Sequence, residues 1–521
     1  MNTKKEIEAK AKALLDSNPD EAVKLYRQIW ENYPNQFNEW DAFYTIKAMR
    51  ASNSPNLNWA KELAEKFKVD KVGSIYGWLI YDKCVKGKTE KEILLNEKYI
   101  SSLITLTPQK NSKEGDKYPC PKTISILEFC KALKSQNKPS HAHQMDKFLS
   151  ALDYDLLSDE PRTFNTKQGK VEVASPLEDY LALKTYALLE LEKYQECKDM
   201  CKLAFERIKK FHYDNEIWFK RRIAQSEIGL GNHHEAEKIL KELLESKAGS
   251  DKWFIYRDIA ELYFKLEDFT KALKYSVDAV FYGNEPHFLI DLYYLQALIL
   301  HKLNRTHESK ILVELIAAIL KERNWKGKDE YRKLFSYYKI DSASLRSVNE
   351  IIKEARKFWE KERYGNKPKL QGTVISIHKN GKVGRIKDQN NNIIEFHKKD
   401  LVDKMKSIES LNGATVEFYL VELHDGKKIA ENIYVISKPK LNYSENIVGK
   451  VIEAVVVGIS EFGVFFELEL EGIKKGLLHK SNIPEKLREN LNSAFPKGKK
   501  VKVRVDKITD KGIQLKLADG S

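Results

Sequence analysis

The chain has 521 residues, 42% of them hydrophobic, and its 90 Lys and Arg against 76 Asp and Glu give a net charge of +14. That apolar share is ample for several domains, and no stretch approaches the roughly 18 apolar residues of a membrane span. Five cysteines at irregular spacing (Cys84, Cys120, Cys130, Cys197, Cys201) argue against a disulfide framework and suit a reducing cytoplasm.

The start is a charged amphipathic helix without the apolar core of a signal peptide. Asp20–Tyr26 leads to Tyr33–Pro34 and predicts a helix ending at that proline. The next helix is expected near Asn38, burying Trp40, Phe43, Tyr44 and Ile46. Residues 55 to 160 read as helical, with Ile75, Trp78, Leu79 and Tyr81 on one face. From Phe164 to Val173 the pattern alternates around a glycine, which predicts a hairpin inserted between helical blocks.

From about Leu181 to Asn324 the chain repeats itself. Cys197, Ala236, Ala272 and Ser309 are small residues at one phase of successive second helices, 39, 36 and 37 positions apart. Ala224, Ala260 and Ala297 stand twelve positions earlier, on the first helices. Small residues let two antiparallel helices approach closely. The pattern resembles the tetratricopeptide repeat, whose period is about 34. Stacked pairs of this kind make a long concave face that usually holds a protein segment. Tyr256, Tyr263, Tyr293 and Tyr294 are the candidate protein-binding side chains there. A closing helix is expected from Ser342, capped by Ser342–Leu345, to Gly365.

After Pro368 the texture becomes β. Gly372–Thr–Val, the G-x-x-G step Gly381–Gly384 and a strand ending at His397 resemble a cold-shock domain, a small OB-type barrel. At the family's base-stacking positions stand Ser376, Val383, Arg385 and Glu395. Its candidate RNA contacts are Lys379, Lys382, Arg385, Lys387 and His397.

The last segment holds three ordered signatures: Val448–Gly449–Lys450–Val451, Glu461–Phe–Gly–Val–Phe–Phe466, and Gly476–Leu–Leu–His–Lys–Ser481. From about Asn446 to Leu517 they resemble the S-one RNA-binding domain, the repeat named after ribosomal protein S-one. That resemblance implies a five-stranded OB barrel with Phe462, Phe465 and His479 as its stacking platform. Lys480, Lys502 and Arg504 would line the groove, with Asp510 and Lys511 near its end. Phe462 and Phe465 are three apart, so simple alternation puts them on opposite faces, and Gly463 is read as a bulge that turns both outward. Glu467, Glu469 and Glu471 make one edge acidic. Residues 367–521 carry 28 basic and 20 acidic side chains, more than half of the chain's positive excess.

The sequence lacks a phosphate-loop, zinc-protease, paired CxxC or nucleophile-elbow motif. His141–Ala–His143 and His233–His234 have no acidic or cysteine partners at ligand spacing, so no metal or cofactor is expected. The expected architecture is a helical-repeat solenoid followed by two all-β OB barrels. It divides into a helical region at 1–160, a hairpin at 161–176, repeats at 177–340, a closing helix and linker at 341–367, and barrels at 368–438 and 446–518. The expected function is a cytoplasmic, non-catalytic adaptor that holds single-stranded RNA and a protein partner. A pure protein scaffold is the first rival reading, and a nuclease or toxin with its site in 55–175 is the second.

Overall fold

The computed structural model describes residues 3–111, 120–136, 138, 140–166, 169–283, 285–402, 408–422, 427–437, 447–470, 473–509 and 512–518. It divides into two units, Met1–Asn366 and Lys367–Ser521.

The first unit is a series of helix pairs. Pro176–Glu190 with Tyr194–Arg207, Glu216–Gly229 with His233–Glu245, Trp253–Lys265 with Phe269–Tyr282, and Ile290–Lys302 with Thr306–Glu322 are each joined by a three-residue turn. All four turns close identically. Glu192, Gly231, Glu267 and Asn304 hold φ at 56°, 82°, 59° and 58°. The next N–H, of Lys193, Asn232, Asp268 or Arg305, then donates to the carbonyl five residues back at 2.8–3.0 Å. That left-handed closure satisfies a carbonyl the helix end would otherwise orphan. Five residues beyond each left-handed position lie Cys197, Ala236, Ala272 and Ser309, all fully buried. The polar two satisfy themselves on the first helix: Cys197 Sγ donates to the Thr185 carbonyl at 3.3 Å, and Ser309 Oγ to that of Ala297 at 2.8 Å.

Toward the N-terminus, Lys4–Ala13 and Pro19–Asn32 precede a helix at Glu39–Ala51. Asn38 caps that helix reciprocally. Its side chain accepts from the Asp41 N–H at 3.2 Å, and Asp41 accepts from the Asn38 N–H at 3.0 Å. The expected burial of its aromatics needs correction. Ala42, Thr45, Ile46 and Met49 form the buried stripe, so Trp40 lies off it, 51% exposed, with Lys71 Nζ 3.6 Å from a ring centroid. Phe43 and Tyr44 are half-buried. Ile75, Leu79 and Tyr81 are buried, while Trp78 is half-buried. Strands β1 (Arg162–Thr166) and β2 (Gly169–Val173) pair as an antiparallel hairpin.

The closing helix is shorter than its pattern predicts. It runs from Val348 to Tyr364 and is capped by Ser347, not Ser342. Ser347 and Glu350 form a reciprocal capping box, which outcompetes the earlier serines because only position 347 has an acid three residues on. Trp359 is buried against the repeats, its Nε1–H donating to Gln296 Oε1 at 3.0 Å.

The second unit holds two closed five-stranded barrels of the same strand order. The first is β3 (Leu370–Ile377), β4 (Val383–Asp388), β5 (Ile393–His397), β6 (Thr415–Glu422) and β7 (Lys428–Ser437). The second is β8 (Val451–Ser460), β9 (Gly463–Leu470), β10 (Ile473–His479), β11 (Lys500–Thr509) and β12 (Gly512–Leu517). In each, the third and fifth strands pair in parallel and the remaining pairs are antiparallel, as in an OB fold. Val464, Phe466, Leu468, Leu478, Val503, Val505, Ile513 and Leu515 fill the second barrel. Val374, Ile386, Phe396, Val416 and Phe418 fill the first. Among the described residues no helix is long and apolar enough to cross a membrane.

Candidate nucleic-acid interface

In an OB barrel the second and third strands present the ligand face, joined by the loop between the first and second. Here those strands are β9 and β10. Phe465 is exposed between two buried neighbours, Val464 and Phe466, so plain alternation sends it outward. Its cross-strand partner is Leu477 on β10, and two residues further His479 leaves the same face.

Phe462 reaches the surface by a different route. It does not belong to a strand but sits in the β8–β9 turn, 58% exposed, where its carbonyl accepts from the Lys480 N–H at 2.8 Å. The expectation of a bulge at Gly463 is therefore corrected. The irregularity in this hairpin lies between Val456 and Gly458 on β8. Gly463 is needed for another reason. Its φ is +146°, and a Cβ there would come within 2.2 Å of the Leu478 carbonyl oxygen. Only a glycine lets β9 start this close to β10.

His479 ends β10 and caps the short turn Lys480–Asn482. The Ser481 N–H donates to its Nδ1 at 3.2 Å, and Ser481 Oγ lies 2.7 Å from the same nitrogen. With Nδ1 accepting, the ring carries its proton on Nε2, which leaves a donor for a base or phosphate. Arg488 braces this turn, its Nη2–H reaching the Ser481 carbonyl at 3.1 Å and its Nε–H the Ile483 carbonyl at 2.5 Å. Phe462, Phe465, His479 and exposed Lys480 thus gather at one end of the β9–β10 face.

Lys502 and Arg504 do not join them. Both are exposed on β11, but register sets Lys502 opposite Glu453 and Arg504 opposite Val451 of β8. Sequence alternation found their outward direction correctly but not which strand they face. A lysine that alternation hides does reach the site. A shift in register between Val505 and Lys507 turns Lys507 outward, opposite Gln514, and Gln514 in turn lies beside Leu477. The row Lys507, Gln514, Leu477, Phe465 therefore crosses the outer surface of four strands. Glu467 is exposed and faces Lys475 across the strands, which offsets part of the acidic edge. Asp510, Lys511 and Glu471, and the side chain of Glu469, lie outside the described residues.

The first barrel has a different face. Ser376, Arg385 and Glu395 form one row across β3, β4 and β5. Glu395 pairs with Arg385 at 3.7 Å and with Lys427. The hydrogen bond from Lys427 holds the Glu395 carboxyl below its usual range. Arg385 is thereby drawn to a carboxylate of its own chain. Lys379 and Lys382 are exposed in the β3–β4 turn, Lys387 is exposed on β4, and half-buried His397 lies opposite Val383. Alternation overlooked Ile393, 62% exposed beside Lys387, and Ile375, 40% exposed where the β3–β4 register shifts.

The tyrosines named for the helical arm separate. Tyr293 is buried, stacked on Trp359 with centroids 5.8 Å apart. Tyr263 is also buried, stacked on Tyr275 at 5.6 Å with its hydroxyl donating to Glu237 Oε1 at 2.7 Å. Both are packing residues, which corrects their assignment as partner contacts. Tyr256 and Tyr294 are half-buried, against Tyr282 and Tyr331 respectively.

A family model described as S1 RNA binding domain matches residues 445–517. The second barrel is an S-one domain. A tetratricopeptide-repeat model matches residues 9–35, at the first helix pair. No curated protein matches the chain. Among solved structures, a multidomain protein with nucleic acid binding domains from Streptococcus pneumoniae is similar over 29% of this chain and 51% of its own, at 15% identity and TM-score 0.12. The present chain thus spans about half the length of that protein. NprR in complex with its cognate peptide NprX is similar over 68% of this chain and 99% of its own, at 14% identity and TM-score 0.28. At these TM-scores neither structure bears on the fold or ligand of this chain. With an S-one domain and a tetratricopeptide repeat present, RNA binding and protein interaction are the activities these domains suggest.

Proposed function

We propose that the protein is a non-catalytic adaptor whose S-one barrel holds single-stranded RNA while its helical arm holds a protein. The observation that carries this reading is the gathering of Phe462, Phe465 and His479 on the β9–β10 face. Two exposed rings and an imidazole offer flat faces to unstacked bases, and a duplex cannot reach them. Lys480, Lys475 and Lys507 give the same face its positive charge. The first barrel offers no aromatic platform on its corresponding rows, so it contributes at most phosphate contacts through Lys379, Lys382 and Lys387.

Filter binding of the full chain to labelled single-stranded RNA and to a duplex of equal length tests this. The single strand is expected to bind at least tenfold tighter. The logarithm of its affinity should fall against the logarithm of salt concentration with a slope of about −2 to −4, as a few lysine contacts release counterions at roughly 0.7 each. Equal binding of the duplex would overturn the single-strand assignment, and weak binding with a flat salt response would favour a pure protein scaffold.

A further inference from the structure

The turn that enters the fourth helix pair and the turn that leaves it meet in one surface cluster. Pro286–Leu289 form the first, a short turn before Ile290–Lys302. Leu289 is buried and pins this turn down, while Phe288 beside it is 64% exposed. At the other end of the pair Asn324 takes φ 52°, and the Trp325 N–H donates to the Leu320 carbonyl at 2.9 Å. That left-handed closure ends the helix and leaves the Trp325 side chain 49% exposed. His287 links the two rings. Its centroid lies 4.1 Å from that of Phe288 and 5.9 Å from that of Trp325. Arg323 Nη2–H donates to His287 Nδ1 at 2.9 Å, so the imidazole carries its proton on Nε2. Arg323 is exposed, and among the described residues no carboxylate lies at salt-bridge distance from it. Glu285 and Glu322, the acids nearest to the cluster in sequence, do not pair with it.

The polar side-chain groups that this cluster leaves open are all donors: the rest of the Arg323 guanidinium, the His287 Nε2–H and the Trp325 indole N–H. Open ring faces beside donors and a positive charge select a partner that is both flat and anionic. An unpaired nucleotide is both. An aliphatic protein segment laid over the rings would instead bury those donors unpaired, which is costly. We propose that Phe288 and Trp325 stack an unpaired base of an RNA strand whose phosphate is held by Arg323. His287 is a positioning residue, fixing the guanidinium between the two rings. The planar fork of arginine suits a phosphate, and exposed Lys326, next to Trp325, adds a second positive charge. This gives the arm an RNA contact of its own, distinct from the S-one face and from the arm's role as a protein holder.

The test is fluorescence anisotropy with fluorescein-labelled decauridylate. It is run on the full chain and on a full chain with Phe462, Phe465 and His479 replaced by alanine, which removes the barrel platform. The second chain is expected to keep residual binding. In that background Phe288→Leu, Trp325→Ala and Arg323→Gln should each weaken it at least fivefold, the low end of what one stacked base contributes. Leucine keeps apolar area at 288 but not the flat face, so stacking and plain apolar contact separate there. All three side chains are exposed, and the variants should melt with their parent. Irradiating the full chain with decauridylate that carries 4-thiouridine needs no substitution, and crosslinked peptides should include Phe288 or Trp325. Residual binding that is absent, or unchanged by the three substitutions, would overturn this site, leave the S-one reading standing and hand the cluster to a protein partner. Crosslinks confined to 367–521 would do the same. Binding that survives loss of the platform undiminished but falls with the arm substitutions would keep this site and overturn the S-one reading. Displacement by uridine monophosphate at the concentration at which unlabelled decauridylate displaces would assign the cluster to a free nucleotide and overturn the proposal. No binding by either chain would overturn both.

Discussion

Replacing Phe462, Phe465 and His479 together with alanine should weaken single-stranded RNA binding by about thirtyfold or more, since each stacked base is worth roughly 1–3 kcal/mol. Two rings lost at the lower end of that range already give about 2 kcal/mol, which is close to thirtyfold. The fold should survive, because Phe462 sits in a turn and Phe465 points outward, whereas the core is filled by Val464, Phe466 and Leu478. His479 is the one member with a structural task, as its Nδ1 accepts from the Ser481 N–H. A His479→Asn substitution keeps a capping acceptor and separates the two roles. Titration of the triple variant and of Phe465→Ala alone checks the prediction, with the circular dichroism spectrum as the control. Unchanged affinity in the triple variant would remove this face from the RNA path.

A larger effect on stability is expected from Gly463→Ala. The added Cβ would lie 2.2 Å from the Leu478 carbonyl oxygen and 3.0 Å from both His479 Cα and Lys480 N. All three are backbone atoms and cannot turn aside as a side chain would. The φ of +146° adds strain that alanine does not tolerate. Relief requires β9 and β10 to part at the end where Phe462 and His479 meet. A loss of about 3 kcal/mol or more is expected, a large part of the stability of a small barrel. Every tryptophan lies before the barrels, so fluorescence does not report on this one. Hydrogen exchange of peptides from 447–518 does, and faster exchange of the Val464 and Phe466 amides should accompany weaker RNA binding. Wild-type exchange rates there would mean that the hairpin absorbs the methyl.

Much of this was readable from residue order. The phase of Cys197, Ala236, Ala272 and Ser309 located the helix pairs because close packing demands a small residue at one place per repeat. The aromatic site was readable residue by residue, but its geometry was not. Alternation describes strands only, and Phe462 is in a turn, so Gly463 took on the wrong task. Lys507 was hidden by a register shift that no residue type announces. Tyr263 is covered by Tyr275 on the second helix of its own pair, whereas the cover of Tyr293 comes from elsewhere in the chain. Tyr293 is stacked under Trp359, a partner on the closing helix that no repeat period predicts.

The four identical turns leave the arm an unused margin. Gly231 enters the left-handed region without a side chain to hinder it, but Glu192, Glu267 and Asn304 do so with one. Each of those side chains crowds its own backbone by about 1–2 kcal/mol, of which glycine's greater freedom in the unfolded chain cancels roughly 0.5–1. Glycine at 192 and 267 should therefore raise the melting temperature of the arm, and the increments should add, because these turns are separated by a whole repeat. The solenoid could in this way be hardened at its turns while every side chain on its helices stays as it is.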